Sequence, residues 1–238
     1  GGAVMGLTHS PRIVTDGLVL CLDAANSRSY PGTGTAWTDL KGNHDGTLTN
    51  GPTFSSDNGG CIVFDGTNDH VVLGGTGAGT AIASSQELTV MYWIRFGSLS
   101  KQDALEFGSS NNEVLRLGLE SDNTVSFQTR GGGRQHTVGT SQTISANQWY
   151  HFTGSWKAST TPIIYIDGEI VATSNTTCAG CPVTSISNFD SLNKYIGLHV
   201  GGPGLYLNGR ITCINLYSKQ LSDYEIRQNY NATRGRFA

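Results

Sequence analysis

Residues 88–96 carry the sequence LTVMYWIRF, in which an apolar side chain stands at every second position. The alternating set is Leu88, Val90, Tyr92, Ile94 and Phe96. These side chains share one face of an extended chain, because successive residues of a β-strand point to opposite sides. The same period of two recurs at residues 115–119, 125–128 and 149–157. One apolar and one more polar face per strand predicts antiparallel sheets.

The composition supports this interpretation and narrows the range of functions. The chain has 238 residues, of which 32 are glycine and only 14% are charged, which suits short strands joined by tight turns better than a helical bundle. Strand patterns recur along the whole length without a Pro/Ser linker. The net charge of −3 argues against a nucleic-acid partner. The apolar stretches are too short to insert into a membrane.

Three turns and one helix can be placed from local signals. Asp167-Gly168 lies between two β-rich runs, which is the pattern of a type I′ hairpin. Residues 65–68 predict a second hairpin, joining strands at 61–64 and 70–73, and residues 131–133 predict a third reversal. Ser222 and Glu225 form a capping-box pattern, which opens the single predicted helix at residues 225–231.

Several segments, in this order and spacing, together resemble a known family. They are Gly17–Ala24, Trp37–Asn43 with Gly46–Leu48, Ile62–Asp69, Trp149–Phe152, Tyr165–Gly168 and Leu207–Ile211 with Leu216-Tyr217 and Glu225-Ile226. They resemble the laminin-G-like branch of the concanavalin A-like lectin/glucanase superfamily over roughly residues 12–232. The resemblance implies an all-β jelly-roll sandwich of two curved antiparallel sheets, to which the capping box adds one short C-terminal helix.

The domain organisation follows from that match. Residues 1–11 form an N-terminal arm, in which residues 1–4 before Met5 have the character of a cloning remnant. Residues 12–232 are the jelly-roll domain. Residues 233–238 are a short basic tail.

The two ends of the chain carry a narrower resemblance. The opening His9–Gly17 with Leu22–Asn26, and the closing Gln228–Ala232 with Arg234–Arg236, are similar to virion-associated proteins of tailed phages from marine and cyanobacterial hosts. This similarity implies synthesis in the host cytoplasm and display on the virion as a capsid, neck or tail decoration. The expected partners are host-surface glycan, other virion proteins and, within the same picture, further copies of the chain.

Glycan binding is the function predicted for such a domain. Sugars are held by aromatic faces and planar polar groups, and binding residues concentrate in loops on rigid scaffolds. The loop candidates are Tyr206, Arg130, Arg134, His136 and Tyr30. The alternative is that Tyr206 packs internally and that the arginines are solvated or contact a neighbouring subunit. In that case the domain is a docking module of the virion that binds no sugar.

Structural calcium is the one cofactor that the resemblance suggests, because sandwiches of this kind hold hard cations with carboxylates in loops. Asp23, Asp65 and Asp69 are the candidate ligands. The family's last strand often has Asp after Gly-x-Ile, whereas Thr212 stands at that position here, which weakens the prediction. Asp65 and Asp69 have a simpler role open to them, as acceptors within their own turn.

Catalysis is not predicted. Related glucanases carry Glu-x-Asp-x-x-Glu on one strand, and hydrolysis needs two positioned carboxyl groups. The nearest match is Glu120-Ser121-Asp122, with Val125 at the place of the second Glu. We therefore expect a non-enzymatic protein, with a glycan hydrolase or lyase as the third alternative. Cys178 and Cys181 have the spacing of half a zinc site, but no second ligand pair follows, so a free pair or a local disulfide is the favoured interpretation.

Overall fold

The computed structural model describes residues 11–109, 112–171, 173–199 and 205–237. The predicted arm up to residue 10 and residues 201–204 beside Tyr206 lie outside these ranges. Within them the strands are β1 (Leu18–Asp23), β2 (Ala36–Trp37), β3 (Gly46–Thr49), β4 (Thr53–Ser55), β5 (Cys61–Asp65), β6 (His70–Leu73), β7 (Glu87–Phe96), β8 (Gln102–Ser109), β9 (Asn112–Leu119), β10 (Thr124–Gly131), β11 (Arg134–Thr143), β12 (Trp149–Lys157), β13 (Ile163–Ile166), β14 (Glu169–Ile170), β15 (Thr173–Ala179), β16 (Lys194–Ile196), β17 (Leu198–His199), β18 (Leu205–Tyr206) and β19 (Asn208–Tyr217). The α-helices are α1 (Ala78–Ser85) and α2 (Asp223–Thr233), and short 3-10 turns lie at Asp57–Gly59 and Arg234–Arg236.

Two antiparallel sheets face each other and form a sandwich. The eight-stranded sheet has the order β14-β13-β12-β7-β19-β5-β4, with β1 paired to β19. The nine-stranded sheet has the order β15-β11-β10-β9-β8-β16-β6-β3-β2. Strands β17 and β18 form a separate ribbon. The segment 88–96 lies in β7, in the interior of the eight-stranded sheet, where it pairs with β12 and β19.

The alternating apolar residues meet between the sheets. Val90, Tyr92 and Ile94 of β7 pack in one core cluster with Leu117 of β9 and Phe127 of β10. The hydroxyl of Tyr92 donates a hydrogen bond of 2.8 Å to the carbonyl of Leu117, and this bond joins the two sheets. The predicted all-β sandwich is confirmed.

Two of the three predicted turns are confirmed. Asp167 and Gly168 adopt φ of 54° and 81° between β13 and β14, which is the positive region that a type I′ turn requires. Gly132 and Gly133, with φ of 58° and 73°, connect β10 to β11 in the same way.

The hairpin predicted around residues 65–68 is wrong. Strand β5 pairs with β4 and β19 in one sheet, whereas β6 pairs with β3 and β16 in the other. The four residues between them form a corner that crosses the sandwich. Its polar side chains bond within the turn, because the backbone N–H of Asp65 donates to Oδ2 of Asp69 at 3.1 Å. Turn-forming residues reverse the chain equally well into a hairpin or across to a second sheet.

Within the described ranges the chain forms two α-helices, one more than the sequence predicts. Helix α2 begins at the predicted capping box, with Ser222 and Glu225 each bonded to the other's backbone N–H. Helix α1 has no side-chain cap, and it is stabilised by Ala78 and Ile82, which are buried in the core. Neither helix has the length and hydropathy that a membrane crossing would need.

Helix α2 covers part of the outer face of the eight-stranded sheet. Ile226 and Leu221 pack there against Met91 and Tyr217 in a second apolar cluster. The outer face of the nine-stranded sheet carries no such helix within the described ranges.

Candidate functional site

One row of outward-facing side chains crosses the nine-stranded sheet at right angles to its strands. The strand register places in it, from β3 to β15, Thr47, Val72, Tyr195, Glu106, Arg116, Gln128, Thr137 and Thr177. The residues beside them in sequence, such as Leu105, Leu117 and Phe127, point into the core. Because neighbouring strands lie about 4.8 Å apart, the row extends about 24 Å from Tyr195 to Thr177. We call this set the polar row.

An open cavity of about 460 Å³ lies over the half of the polar row that is formed by β9, β10, β11 and β15. Its floor contains Arg116, Gln128 and Thr137 from three successive strands. Its wall is the turn between β9 and β10, with Glu120 and Asp122. The cavity therefore presents a guanidinium, an amide, a hydroxyl and carboxylates to a single ligand. We call it the groove.

Glu120 holds the wall of the groove in place. Its carboxylate accepts hydrogen bonds from Lys101 at 2.7 Å and from the hydroxyl of Ser126 at 2.6 Å, and Arg116 lies 3.4 Å away. Burial acts to raise the pKa of Glu120, but these hydrogen bonds outweigh it and lower the pKa. A carboxyl group with a lowered pKa is ionised at neutral pH and is a poor proton donor.

A buried ion cluster adjoins the polar row under the ribbon of β17 and β18. Nδ1 of His199 lies 2.6 Å from Oδ2 of Asp103 and 2.8 Å from Oε2 of Glu106. Hydrogen bonds to Asp103 and then Glu106 raise the pKa of His199 to about 9, so the imidazole is protonated at neutral pH. Nε of Arg116 lies 3.5 Å from Oδ2 of Asp103. Two carboxylates therefore face two cations.

The same three side chains could hold a metal ion. Among the residues that the structure describes, Asp103, Glu106 and His199 bring one ligand atom each to within 4.8 Å of one another. A cation there would have to displace the proton of His199 and lie beside Arg116. The charge is already balanced without it, so we interpret the cluster as an ion-pair network that fixes Glu106 and Arg116 in the polar row.

Gly118 makes room for this network. A Cβ atom at this position would lie 2.3 Å from Oδ1 of Asp103 and 2.8 Å from the carbonyl oxygen of Gln102. The absence of a side chain at Gly118 leaves room for the carboxylate of Asp103, whose Oδ2 contacts His199.

Aromatic rings flank the other end of the polar row. The ring of His70 lies 5.8 Å from that of Tyr195 and 6.2 Å from that of Tyr206. All three side chains are half-buried, so part of each ring faces solvent. They provide apolar ring surface next to Glu106, which is the strand neighbour of Tyr195.

Some of the predicted glycan-binding residues lie on or beside the outer face of the nine-stranded sheet, and the others lie elsewhere. Tyr206 lies in the aromatic group, and Arg130 lies on the outward face of β10, two residues beyond Gln128. Arg134 is exposed at the start of β11, where its guanidinium donates a hydrogen bond of 2.6 Å to the carbonyl of Gly180. Gly180 belongs to the loop closed by the Cys178–Cys181 disulfide.

Two predictions are corrected. His136 is buried on the inward face of β11, because it alternates with Thr137, whose side chain lies in the groove. Tyr30 is 4% exposed, packs against Phe54 and donates its hydroxyl proton to the carbonyl of Gly34 at 2.7 Å. Neither side chain presents a surface to a ligand. In β11, alternation places His136 on the same side as Val138, which is buried in the core, so the burial of His136 follows from the strand pattern.

The predicted calcium ligands do not come together. Asp23 pairs with Cys213 of β19, and Asp65 pairs with Asn208, five positions away along the same strand, which corresponds to about 17 Å. Asp65 and Asp69 bond within their own turn, where Oδ1 of Asp65 accepts from the N–H of Thr67 at 2.7 Å. Asp23 is bound instead by the guanidinium of Arg236 at 3.1 Å.

Arg236 fills the region between the first and last strands. It contacts both Asp23 and the hydroxyl of Thr212, the residue that stands where related chains often have Asp. A protein guanidinium thus supplies the positive charge beside Asp23. The prediction of one calcium site formed by Asp23, Asp65 and Asp69 is corrected accordingly.

The sandwich and the polar face define a lectin-like jelly-roll domain. The chain belongs to the concanavalin A-like lectin/glucanases superfamily, whose family model matches residues 65–227. Pentraxin-related protein PTX3 of Mus musculus is 25% identical over 148 residues, which are 60% of this chain and 38% of that protein. The chain therefore spans well under half of that relative.

Solved structures of the same fold come from several settings. Domain 4 of AbnA, an extracellular arabinanase from Geobacillus stearothermophilus solved with arabinotriose, is 17% identical with a TM-score of 0.68, covering 90% of this chain and 98% of that one. The binding domain of botulinum neurotoxin DC, solved with rat synaptotagmin II, is 16% identical with a TM-score of 0.71, covering 92% and 52%. Trypanosoma rangeli sialidase is 17% identical with a TM-score of 0.64, covering 92% and 34%. Identities this low establish the fold alone.

Proposed function

We propose that this domain binds an oligosaccharide in the groove on the outer face of the nine-stranded sheet. The observation that carries the proposal is the polar row, in which strand register brings Glu106, Arg116, Gln128 and Thr137 into one line across four strands. Side chains from rigid strands keep a fixed spacing, which suits a ligand with repeating hydroxyl groups.

The chemistry of the row matches that of a sugar. Carboxylates accept hydrogen bonds from hydroxyl groups, Arg116 donates to them, and the amide of Gln128 does both. The half-buried rings of His70, Tyr195 and Tyr206 offer apolar surface to the C–H face of a pyranose or furanose ring. The arabinanase domain of this fold that was solved with arabinotriose is consistent with such a ligand.

Binding without catalysis is part of the proposal. Glu120 is held ionised by Lys101 and Ser126, and Asp103 and Glu106 are engaged by His199. A glycosidase needs one carboxyl group that retains a proton and a second that attacks or activates water. We assign Glu120, which lines the groove, to ligand binding, and the buried Asp103 and Glu106 to the support of the groove.

The biological setting that we propose is display on the virion of a tailed phage, where the groove would contact host-surface polysaccharide. This part rests on the sequence resemblance of the two ends of the chain. A weak single site is sufficient in that setting, because multivalent presentation raises avidity by roughly 10²–10⁴ without new contacts.

The test is a titration of the purified protein against a panel of neutral bacterial surface oligosaccharides, with calcium and again with EDTA. We expect saturable binding that Gln128→Ala weakens by about tenfold. The matched control is Arg227→Ala, which removes an exposed arginine of α2 that pairs with Glu169 and lies far from the groove. If the two variants bind with equal affinity, the groove is not the binding site. If even a multimerised form of the protein binds none of the panel, the proposal of oligosaccharide binding is refuted. Shortened glycans in the same samples would refute the assignment as a non-enzyme.

A further inference from the structure

A second row of functional side chains lies on the opposite face of the molecule, outside the groove. Strand register places Arg210 of β19 directly opposite Arg95 of β7, and Arg95 directly opposite Trp149 of β12. All three point away from the core, because Ile94, Tyr150 and Ile211 beside them are buried within it. We call these three residues the arginine–tryptophan row.

The two arginines have an unusual placement for like charges on a sheet. Like charges directly opposite each other on a sheet repel and are normally avoided. Asp57 pairs with Arg210, but its side chain is 61% exposed, and the group retains a net positive charge. An anion between the guanidinium groups would relieve the repulsion.

Hydrogen-bond donors remain for that anion. A guanidinium has five N–H donors. Among the described residues, Arg95 uses two of them on Asn147, from Nε at 2.9 Å and from Nη2 at 3.3 Å, and Arg210 uses one on Asp57. Both arginines line a cavity of about 250 Å³, to which Asn208 also contributes.

Trp149 supplies a ring surface next to these donors. Its indole N–H donates to Oδ1 of Asn58 at 3.0 Å, which fixes the orientation of the half-buried ring. Trp149, together with Tyr230 and Arg234, lines a further cavity of about 450 Å³. Arg95 and Trp149 thus stand side by side, each lining one of two neighbouring cavities.

The geometry points to a second ligand site at the arginine–tryptophan row, which takes an acidic saccharide. Arg95 and Arg210 bind the oxyanion of a carboxylate or sulfate substituent, because a guanidinium matches the geometry of such groups. Trp149 contacts the sugar ring that carries the substituent. This site is independent of the groove, since it lies on the outer face of the other sheet.

The experiment is calorimetric titration at low ionic strength with three tetrasaccharides. Tetragalacturonate carries carboxylates, a κ-carrageenan tetrasaccharide carries sulfates, and maltotetraose is neutral. We expect binding of one or both acidic probes, weaker binding in 0.5 M salt because the charges are screened, and no site for maltotetraose at the arginine–tryptophan row. Binding of only one acidic probe identifies the preferred substituent, and binding of both shows that the site accepts either oxyanion.

Variants locate the site. Arg95→Gln combined with Arg210→Gln is expected to weaken acidic binding by about tenfold, while Arg227→Gln leaves it unchanged. Asp57→Asn removes the competing carboxylate and is expected to strengthen binding about threefold, a gain that misfolding cannot produce. Gln128→Ala should leave acidic binding unchanged, which separates this site from the groove.

Three results would overturn the inference. They are no binding of either acidic probe, acidic binding that persists in the double arginine variant, and acidic binding that Gln128→Ala abolishes. The last would place the acidic ligand in the groove. If no neutral oligosaccharide of the panel binds while the acidic probes still do, only the proposal for the groove is refuted.

Discussion

His199 is the residue on which the geometry of the polar row depends most. It lies in β17, on the ribbon that covers Asp103 and Glu106, and it bridges both carboxylates. The charged groups around it are these two on β8 and Arg116 on β9. Because the hydrogen bonds raise the pKa of His199 from 6.5 to about 9, the folded protein binds this proton more tightly than the unfolded chain does.

The sign of the pH dependence follows from that difference. The stabilisation by His199 is fully present below the unfolded pKa of about 6.5 and is lost as the pH rises through about 9. We expect His199→Gln to lower the free energy of unfolding by about 2 kcal/mol at pH 6. The difference from the unsubstituted protein should shrink toward pH 9.5, as measured by urea denaturation in EDTA. His70→Gln is the control, and a His199→Gln deficit that is equal at both pH values would contradict the ion cluster.

Gly118 gives a second test at the residue scale. Gly118→Ala would place a Cβ atom against Oδ1 of Asp103 and the backbone of Gln102, and we expect it to destabilise the fold by about 1–3 kcal/mol. Gly235→Ala meets no atom within 4 Å and serves as the control. Thermal melts of both variants measure this difference in stability. A neutral Gly118→Ala would mean that Asp103 does not need the space above β9.

At the scale of single elements, local signals predicted what local forces determine. The capping box at Ser222 and the turn at Asp167-Gly168 were found because each depends on a few neighbouring residues. Helix α1 was missed because the core, and no cap or charge pattern, stabilises it. The turn residues at 65–68 predict a hairpin where the structure has a corner, because such residues do not reveal which sheet the next strand joins.

The cap of α2 is directly testable. Ser222→Ala removes the hydroxyl that accepts from the N–H of Glu225, and we expect a loss of about 1 kcal/mol in the free energy of unfolding. Ser84→Ala, on the exposed side of α1, is the matched control and should change it by less than about 0.5 kcal/mol. An equal effect of the two substitutions would show that the cap contributes nothing.

At the scale of the whole molecule, the two sheets carry different chemistry on their outer faces. The sandwich could be predicted from the alternation in residues 88–96 and from the order of the family segments. The polar row could not, because its side chains come from strands far apart in the sequence, which align in one line only when β16 inserts between β6 and β8 and β11 joins β10. Of the predicted glycan-binding residues, Tyr206 and Arg130 lie on or beside this face, whereas Tyr30 and His136 are buried.

The proposed display on a particle predicts a gain from multiple copies. Four domains fused to a tetrameric scaffold should bind an immobilised host polysaccharide at least about a hundred times more tightly than one domain. Surface plasmon resonance on the same polysaccharide measures this ratio. A tetramer no tighter than the monomer would argue against adhesion by many weak sites.

The outer face of the nine-stranded sheet is the proposed glycan-binding surface. The most direct measurement is an NMR titration of the isotope-labelled protein with a neutral oligosaccharide that binds in the panel. Binding in the groove is expected to shift amide signals that cluster at Arg116, Gln128 and Thr137 and follow the polar row toward Tyr195. Shifts that cluster instead at the eight-stranded sheet or at the loop ends, with the polar row unchanged, would contradict it.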